Sequence, residues 1–453
     1  MDTMIRVGFG AGDITAEWPI GLQGLGNEDT RISTEIATRI YIYCVAITDA
    51  KDQTALIMTI DAGGGGFEED VRPVIEEKFG IPRDHIIFSA LHQHSTPYGG
   101  DRYTALVVEG AVEAVRQALE DRSDATMLLN TVTTEALSFV RQYIANDPAG
   151  SIVGDNYNDP IGRQYGYKCH ESESDKEMRL VKFVREGKKP IIMVNFQAHP
   201  HMGAFGANMT KQHADWPGIM RDLVAEVLDA HCIYISGAGG NLNSNSRIPA
   251  ENISRNWRHH GLRAADYVIR AERSYQEAAV GELKFKEVTI PCATNHSQDH
   301  LLKEAAYIHD LRKQDFDRAR AEVKNYPDLH SIYHATSIVE KAARGATREL
   351  TIGAIALGDV VFTFHPYEMF DTNGMELREG TVGNPNYASG EQLANPYPMT
   401  FLCTLGNGHL GYVPSLLGYT NGGYSTDIAY LAPGSGERLV SNYLTILNEL
   451  HEG

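Results

Sequence analysis

Two histidines two residues apart, His92 and His94, stand where the apolar run Ile86-Ile87-Phe88 gives way to Ser95-Thr96-Pro97 and Gly99-Gly100. The run reads as a short buried strand, the proline and glycines as a loop. On extended backbone, side chains at i and i+2 point the same way. Two imidazoles facing one spot suit a metal ion, or a metal ligand beside an acid/base group; a plain polar loop has the same spelling. The pattern recurs along the chain. Apolar runs lead into His199-Pro200-His201, into His365-Pro366-Tyr367-Glu368 and into Gly411-Tyr412. Imidazole, carboxylate and a further oxygen donor make a reasonable coordination set for zinc, which also keeps a position for water. No regular helix carries the set, so it is not the His-Glu-x-x-His arrangement. Each residue also has a plainer reading: His199 and His201 as polar loop residues, Glu368 as a helix cap, Tyr412 as core packing.

The elements that would position these groups alternate between strand and helix. Apolar or alternating runs predict strands over 40–47, 54–61, 127–134, 178–184, 190–196, 232–235, 280–290, 352–357, 360–364 and 400–405. Helical spacing predicts helices over 68–79, 103–119, 215–228, 257–278 and 436–450, with a charge-rich, mainly helical stretch over 301–344 broken near Tyr326-Pro327. Alternation with some short connections predicts an α/β fold, a mixed β-sheet core with flanking helices, as one unit over 1–453. The glycines of Val7-Gly8-Phe9-Gly10-Ala11-Gly12 miss the dinucleotide fingerprint and read as loop positions where backbones pass closely. Asp61, ending a strand before Gly63-Gly64-Gly65-Gly66, reads either as a substrate-binding wall of the site or as the cap of helix 68–79. Residues 144–177, rich in Gly, Asp, Asn, Ser and Tyr, read as a polar excursion bordering the site.

The bulk properties narrow the function. A chain of 453 residues with a formal charge of -19 repels phosphate backbones and anionic lipid, so no nucleic acid and no membrane anchor are expected. No apolar run reaches membrane-spanning length. The start, Met1-Asp2-Thr3-Met4-Ile5-Arg6, lacks a basic segment leading into an apolar one, so no signal peptide is expected. Five scattered cysteines, Cys44, Cys169, Cys232, Cys292 and Cys403, fit reduced thiols and a cytoplasmic location.

In order along the chain, a further set of motifs carries a resemblance. Gly10-Ala11-Gly12-Asp13-Ile14-Thr15, His92-Gln93-His94-Ser95, Asn195-Phe196-Gln197-Ala198-His199-Pro200, Pro366-Tyr367-Glu368, Gly411-Tyr412-Val413-Pro414, Gly422-Gly423-Tyr424 and Ala432-Pro433-Gly434-Ser435-Gly436-Glu437 together resemble the catalytic domain of the neutral/alkaline non-lysosomal ceramidase family. The resemblance spans about residues 7 to 445. It implies Zn2+ held by His92, His199, Glu368 and Tyr412, with His94 beside the metal as acid/base. It implies Tyr424 as donor to the carbonyl oxygen in the transition state and Arg141 near the substrate. Zinc would lower the pKa of its water from about 15.7 toward 7, and Tyr424 would contribute roughly 3–4 kcal/mol at the oxyanion.

The departures from that family shape the expected chemistry. Its Gly-Asp-x-Ser-Pro-Asn loop stands here as Gly240-Asn241-Leu242-Asn243-Ser244-Asn245, so the serine position holds Asn243. An amide can bind a substrate group but cannot act as a nucleophile. No immunoglobulin-like C-terminal domain is expected, and the excursion is polar, with Asn146, Asp147, Asp155, Asn156, Asn158 and Asp159. The expectation is therefore a divergent member: a zinc-dependent amidohydrolase cleaving an amide, or an ester, of a polar small molecule or glycoconjugate by metal-activated water. A carbohydrate-active enzyme (lactonase, deacylase or uronate lyase) and a catalytically silent binding protein are the alternatives.

Overall fold

Alternate residues of the central strands are apolar on both faces, and two sheets and two helical layers use those faces. The computed structural model describes residues 5–25, 30–64, 66–154, 160–382 and 392–453. The larger sheet contains β1 (Ile5–Asp13), β2 (Tyr41–Thr48), β3 (Thr54–Ile60), β4 (Ile86–Ala90), β5 (Ser123–Thr133), β6 (Glu177–Arg185), β7 (Ile191–Phe196) and β8 (His231–Ser236). Their order is β8-β7-β6-β5-β1-β2-β3-β4. The pairs β3–β4 and β7–β8 are parallel and the others antiparallel, so the sheet is mixed as expected. A smaller sheet follows, β9 (Leu283–Ala293), β10 (Thr347–Leu357), β11 (Val360–His365) and β12 (Met399–Thr404), in sequential order.

The two sheets pack face to face. Val45, Ile57, Ile87, Val181, Met193 and Ile233 of the first meet Ile355, Phe362 and Phe401 of the second in one buried cluster. The opposite face of the first sheet, with Cys44, Leu56, Met58 and Phe88, is covered by α1 (Glu68–Phe79) and α2 (Asp101–Glu120). Beside them α3 (Asp215–Leu228) and α4 (Trp257–Arg270) cover Leu180, Val194 and Tyr234. Three further helices, α5 (Leu302–Gln314), α6 (Phe316–Glu322) and α7 (Ile332–Ala342), form a cluster of their own. The short α8 (Tyr424–Asp427) precedes α9 (Ser435–Glu452), which lies on the outer face of the second sheet. The sequence predicts the mixed sheet and flanking helices. The second sheet stacked on the first is what the structure adds, because a strand buried on both faces shows no alternation from which its partner can be read.

Two local expectations are corrected. The stretch with Gly8, Gly10 and Gly12 is strand β1, not loop. All three glycines face α2: a Cβ on Gly10 would lie 2.0 Å from the Ala114 carbonyl oxygen, and one on Gly12 1.9 Å from that of Gly110. They let a helix lie directly on the strand. Residues 257–278 are not one helix, since α4 ends at Arg270 and a two-residue strand, Gln276–Glu277, pairs with β5. The excursion over 144–177 carries Ile152–Gly154, Pro160–Tyr165 and Tyr167–His170, built onto Gln142–Ala145. Its Asp155, Asn156, Asn158 and Asp159 lie outside the described residues, as does Gly65 of the glycine run. Among the described residues, no helix is long and apolar enough to cross a membrane. All five cysteines are free thiols.

Candidate metal centre

Strand β4 ends at Ala90, and the chain turns sharply to bring His92 inward. His92 has φ +61, a left-handed conformation that a residue with a Cβ adopts at a cost. The turn is held by Gln93, which is fully buried and donates through Nε2 to Asp61 Oδ1 at 3.0 Å and to the Ala214 carbonyl at 2.8 Å. His92 Nδ1 faces the Gly63 carbonyl at 2.6 Å, which fixes its tautomer and turns Nε2 toward the site. His199, after β7, is fixed in the same way by the Leu242 carbonyl at 2.8 Å from its Nδ1. Glu368 and Tyr412 come from two-residue strands, Glu368–Met369 and Tyr412–Val413, that pair in parallel with Glu368 opposite Tyr412.

These side chains converge. Glu368 Oε2 lies 3.1 Å from Nε2 of His92 and 3.1 Å from Nε2 of His199. His94 Nε2 lies 3.2 Å from His92 Nε2. One ring nitrogen from each of His92, His94 and His199 falls within 4.8 Å of the others. Zinc bonds of about 2.0–2.2 Å place tetrahedral ligands about 3.3–3.6 Å apart, close to these separations. Two nitrogens aimed at each other across 3.2 Å cannot both be lone pairs without repulsion, and His199 Nε2 and Glu368 Oε2 are buried with no geometrically adequate hydrogen bond. A proton on His94 Nε2 relieves the first pair, and a cation held by His92 Nε2, His199 Nε2 and Glu368 Oε2 satisfies the rest, so the residues fit a divalent metal with His94 beside it.

The electrostatics agree. Burial alone would raise the Glu368 carboxyl, but His92, His199 and Arg141 outweigh it and hold it down at about 2. Burial lowers His92 to about 4 and His94 well below its ordinary value, so both rings are neutral donors of lone pairs near pH 7. Burial, then Glu368, pushes the Tyr412 phenol up to about 12, while Arg141 pulls it back.

Around these side chains stand the other predicted residues. Arg141 donates through Nη2 to the Gly240 carbonyl at 2.6 Å and to Ser425 Oγ. Its guanidinium carbon lies 5.0 Å from the Tyr412 ring centroid and 5.8 Å from that of Tyr424. The Tyr412 and Tyr424 rings meet edge-on at 6.1 Å. Asn243 is buried and bridges in parallel to His199. Asp61 does not join them. Its oxygens are taken by Arg221, at 2.9 and 2.8 Å, by Gln93 and by the Tyr41 amide, and it caps no helix. Its place is behind the His92 turn, in a fully buried ion pair. Sequence reasoning gives no role to Gln93, and it reads His201 as a polar loop residue, whereas its ring lies 5.4 Å from that of His94 and 5.6 Å from that of His199. A second His/His/Asp group, His330, His334 and Asp427, could also coordinate a metal ion. Its two histidines, four residues apart, lie in the stretch that the sequence reads only as charge-rich helix, although His330 precedes the helix N-cap Ser331.

Comparison with solved structures gives the fold a precedent. The chain shares its fold with neutral ceramidase. Against the neutral ceramidase of Pseudomonas aeruginosa the TM-score is 0.71 at 15% sequence identity, covering 100% of this chain and 75% of the other. A ceramidase complexed with C2 matches with TM-score 0.71 and 15% identity, covering 100% of this chain and 76% of the other. No family model and no curated protein matches the sequence.

Proposed function

We propose that this chain is a zinc-dependent hydrolase that cleaves an amide, with an ester as the second candidate, in a polar small molecule or glycoconjugate. The observation that carries the reading is the buried carboxylate Glu368 reaching two imidazole nitrogens, of His92 and His199, at 3.1 Å each, with His94 alongside. The fold shared with proteins named ceramidases supports hydrolysis, and the same comparison motivates ceramide as one substrate to assay.

A divalent cation held by His92, His199, Glu368 and Tyr412 would polarise a carbonyl and supply a water acidic enough to attack at neutral pH. The chain's own groups do the rest. Tyr424, whose phenol burial keeps well above its ordinary value, stays protonated and donates to the oxygen that gains charge. His94, neutral and next to His92, takes a proton and returns it to the departing amine or alcohol. Arg141, braced by Gly240 and Ser425, orients Tyr412 and Tyr424 and presents positive charge to an oxygen-rich group. Asn243 lies beside His199, where its amide can bind a substrate hydroxyl or carbonyl but cannot form an acyl intermediate. Direct attack by water follows from that residue type.

The test is an assay of the full chain, stripped and reloaded with zinc, against N-acyl amides including ceramide, against esters and lactones, and against uronate-containing sugars. Hydrolysis of an amide or ester supports the reading. Unsaturated uronate products with no amide or ester turnover would replace it with a lyase, and zinc-independent turnover would remove the metal from it.

A further inference from the structure

The ring of His334 is 1% exposed, its Nε2 makes no hydrogen bond among the described residues, and its Nδ1 meets only the His330 amide, at 3.3 Å. His334 stands in the first turn of α7, whose N-cap is Ser331, and His330 lies just before that cap. The spacing brings the two rings to 5.1 Å between centroids. From the opposite side, Asp427 at the end of α8 places Oδ2 2.8 Å from His330 Nδ1. One ligand atom from each of the three residues falls within 4.8 Å of the others.

An ion pair between His330 and Asp427 accounts for two of these groups and leaves the third ring buried with unmet capacity, which is costly. Lys341 does not compete for the carboxylate: its Nζ reaches the main-chain oxygens of Asp427 and Ala429, at 3.3 Å each, and Gln298 Oε1 at 3.1 Å. With the His334 proton moved to Nδ1, at the expense of the long 3.3 Å contact from the His330 amide, its Nε2 offers a lone pair, and two imidazoles and one carboxylate form a ligand set for a divalent transition metal with positions left open. The His330 side chain is 54% exposed, so water reaches those positions.

We propose that His330, His334 and Asp427 form a second divalent-cation site, which ties helix α7 to the short helix carrying Tyr424. Tyr424 and Asp427 are the two ends of α8, and Tyr333, next to His334, meets the Tyr424 ring edge-on at 6.2 Å. A cation here would hold the helix that presents Tyr333 to the Tyr424 ring against the far end of Tyr424's own helix. Cation binding is independent of the proposed hydrolysis; only the consequence for Tyr424 rests on that reading.

The experiment strips the full chain with chelator, reloads it with zinc alone, passes it through gel filtration and measures zinc per chain. His330→Ala is the main variant, because an exposed histidine can be removed without a core defect, and Asp427→Asn is the second. Circular dichroism of the metal-free forms confirms that each is folded. The expected result is two zinc ions per wild-type chain and one in either variant. His92→Ala separates this inference from the proposed function: it also drops to one if both sites exist. If wild type holds a single ion that His330→Ala loses and His92→Ala keeps, the second site stands and the first reading fails. If His330→Ala and Asp427→Asn load as much zinc as wild type, or wild type holds none, the second site is overturned.

Discussion

Glu368 and Tyr412 face each other as partners in a parallel ladder only two residues long. The Glu368 amide donates to the Gly411 carbonyl at 2.7 Å, and Gly240, whose missing side chain lets it pass 2.6 Å (Cβ position) from the Glu368 carbonyl, closes the same backbone cluster from the other side. Two side chains 44 positions apart are thereby set at one height. The ladder, rather than either residue alone, brings the carboxylate to His92 and His199 and sets the Tyr412 ring 6.5 Å from that of His199.

Tyr424 is expected to act on the rate and not on metal binding. Tyr424→Phe keeps the ring packed on Tyr412 and Tyr333 and removes only the donor. Loss of one oxyanion donor lowers kcat by roughly 10²–10³. Steady-state kinetics with zinc content measured on the same sample checks this: kcat falls and zinc is unchanged.

Arg221 should matter to stability. It is 3% exposed and meets both oxygens of the fully buried Asp61. Arg221→Met leaves a buried carboxylate without its countercharge, a loss of about 3–5 kcal/mol, whereas changing both partners together, Asp61→Asn with Arg221→Gln, loses less. Urea denaturation of the single and double variants measures the difference. Because Asp61 also holds Gln93, the single variant should weaken zinc retention as well.

Glu376 sets a pH dependence. It is 4% exposed, and burial, then Glu437 and Glu379, push its carboxyl from the ordinary 4.5 up to about 7. A carboxyl raised on folding favours the protonated folded form. That contribution is complete below about pH 4.5 and is lost as pH rises through about 7. Glu376→Gln should leave stability near pH 4 little changed and raise it at pH 8 by up to about 3 kcal/mol. Thermal melts across that range give the answer; a gain that is equal at both ends would assign the effect to packing.

Much of this was legible in the residues, and the rest was hidden for identifiable reasons. Each of β3, β4, β7, β8, β11 and β12 is an apolar run long enough to stand out, and α3 begins and ends where Asp215 and Leu228 suggest. His92, His199, Glu368 and Tyr412 could be singled out because each follows such a run, and the structure brings the first three within 3.1 Å contacts. Asp61 looks the same in sequence, yet its partner Arg221 is 160 positions away, and only the fold says that the pair is structural. The β1 glycines resembled a loop because glycine is a poor strand former; the helix they admit is remote in sequence. The left-handed turn at His92 left no trace, since nothing in His92-Gln93-His94 requires it.

The measurement that bears most directly on the central claim is zinc content and hydrolytic rate in His92→Ala and His94→Ala, each compared with wild type in a His330→Ala background so that one site is read at a time. The account predicts that His92→Ala loses zinc and activity together, while His94→Ala keeps zinc and loses rate. A His92→Ala protein that retains wild-type zinc and turnover would contradict it.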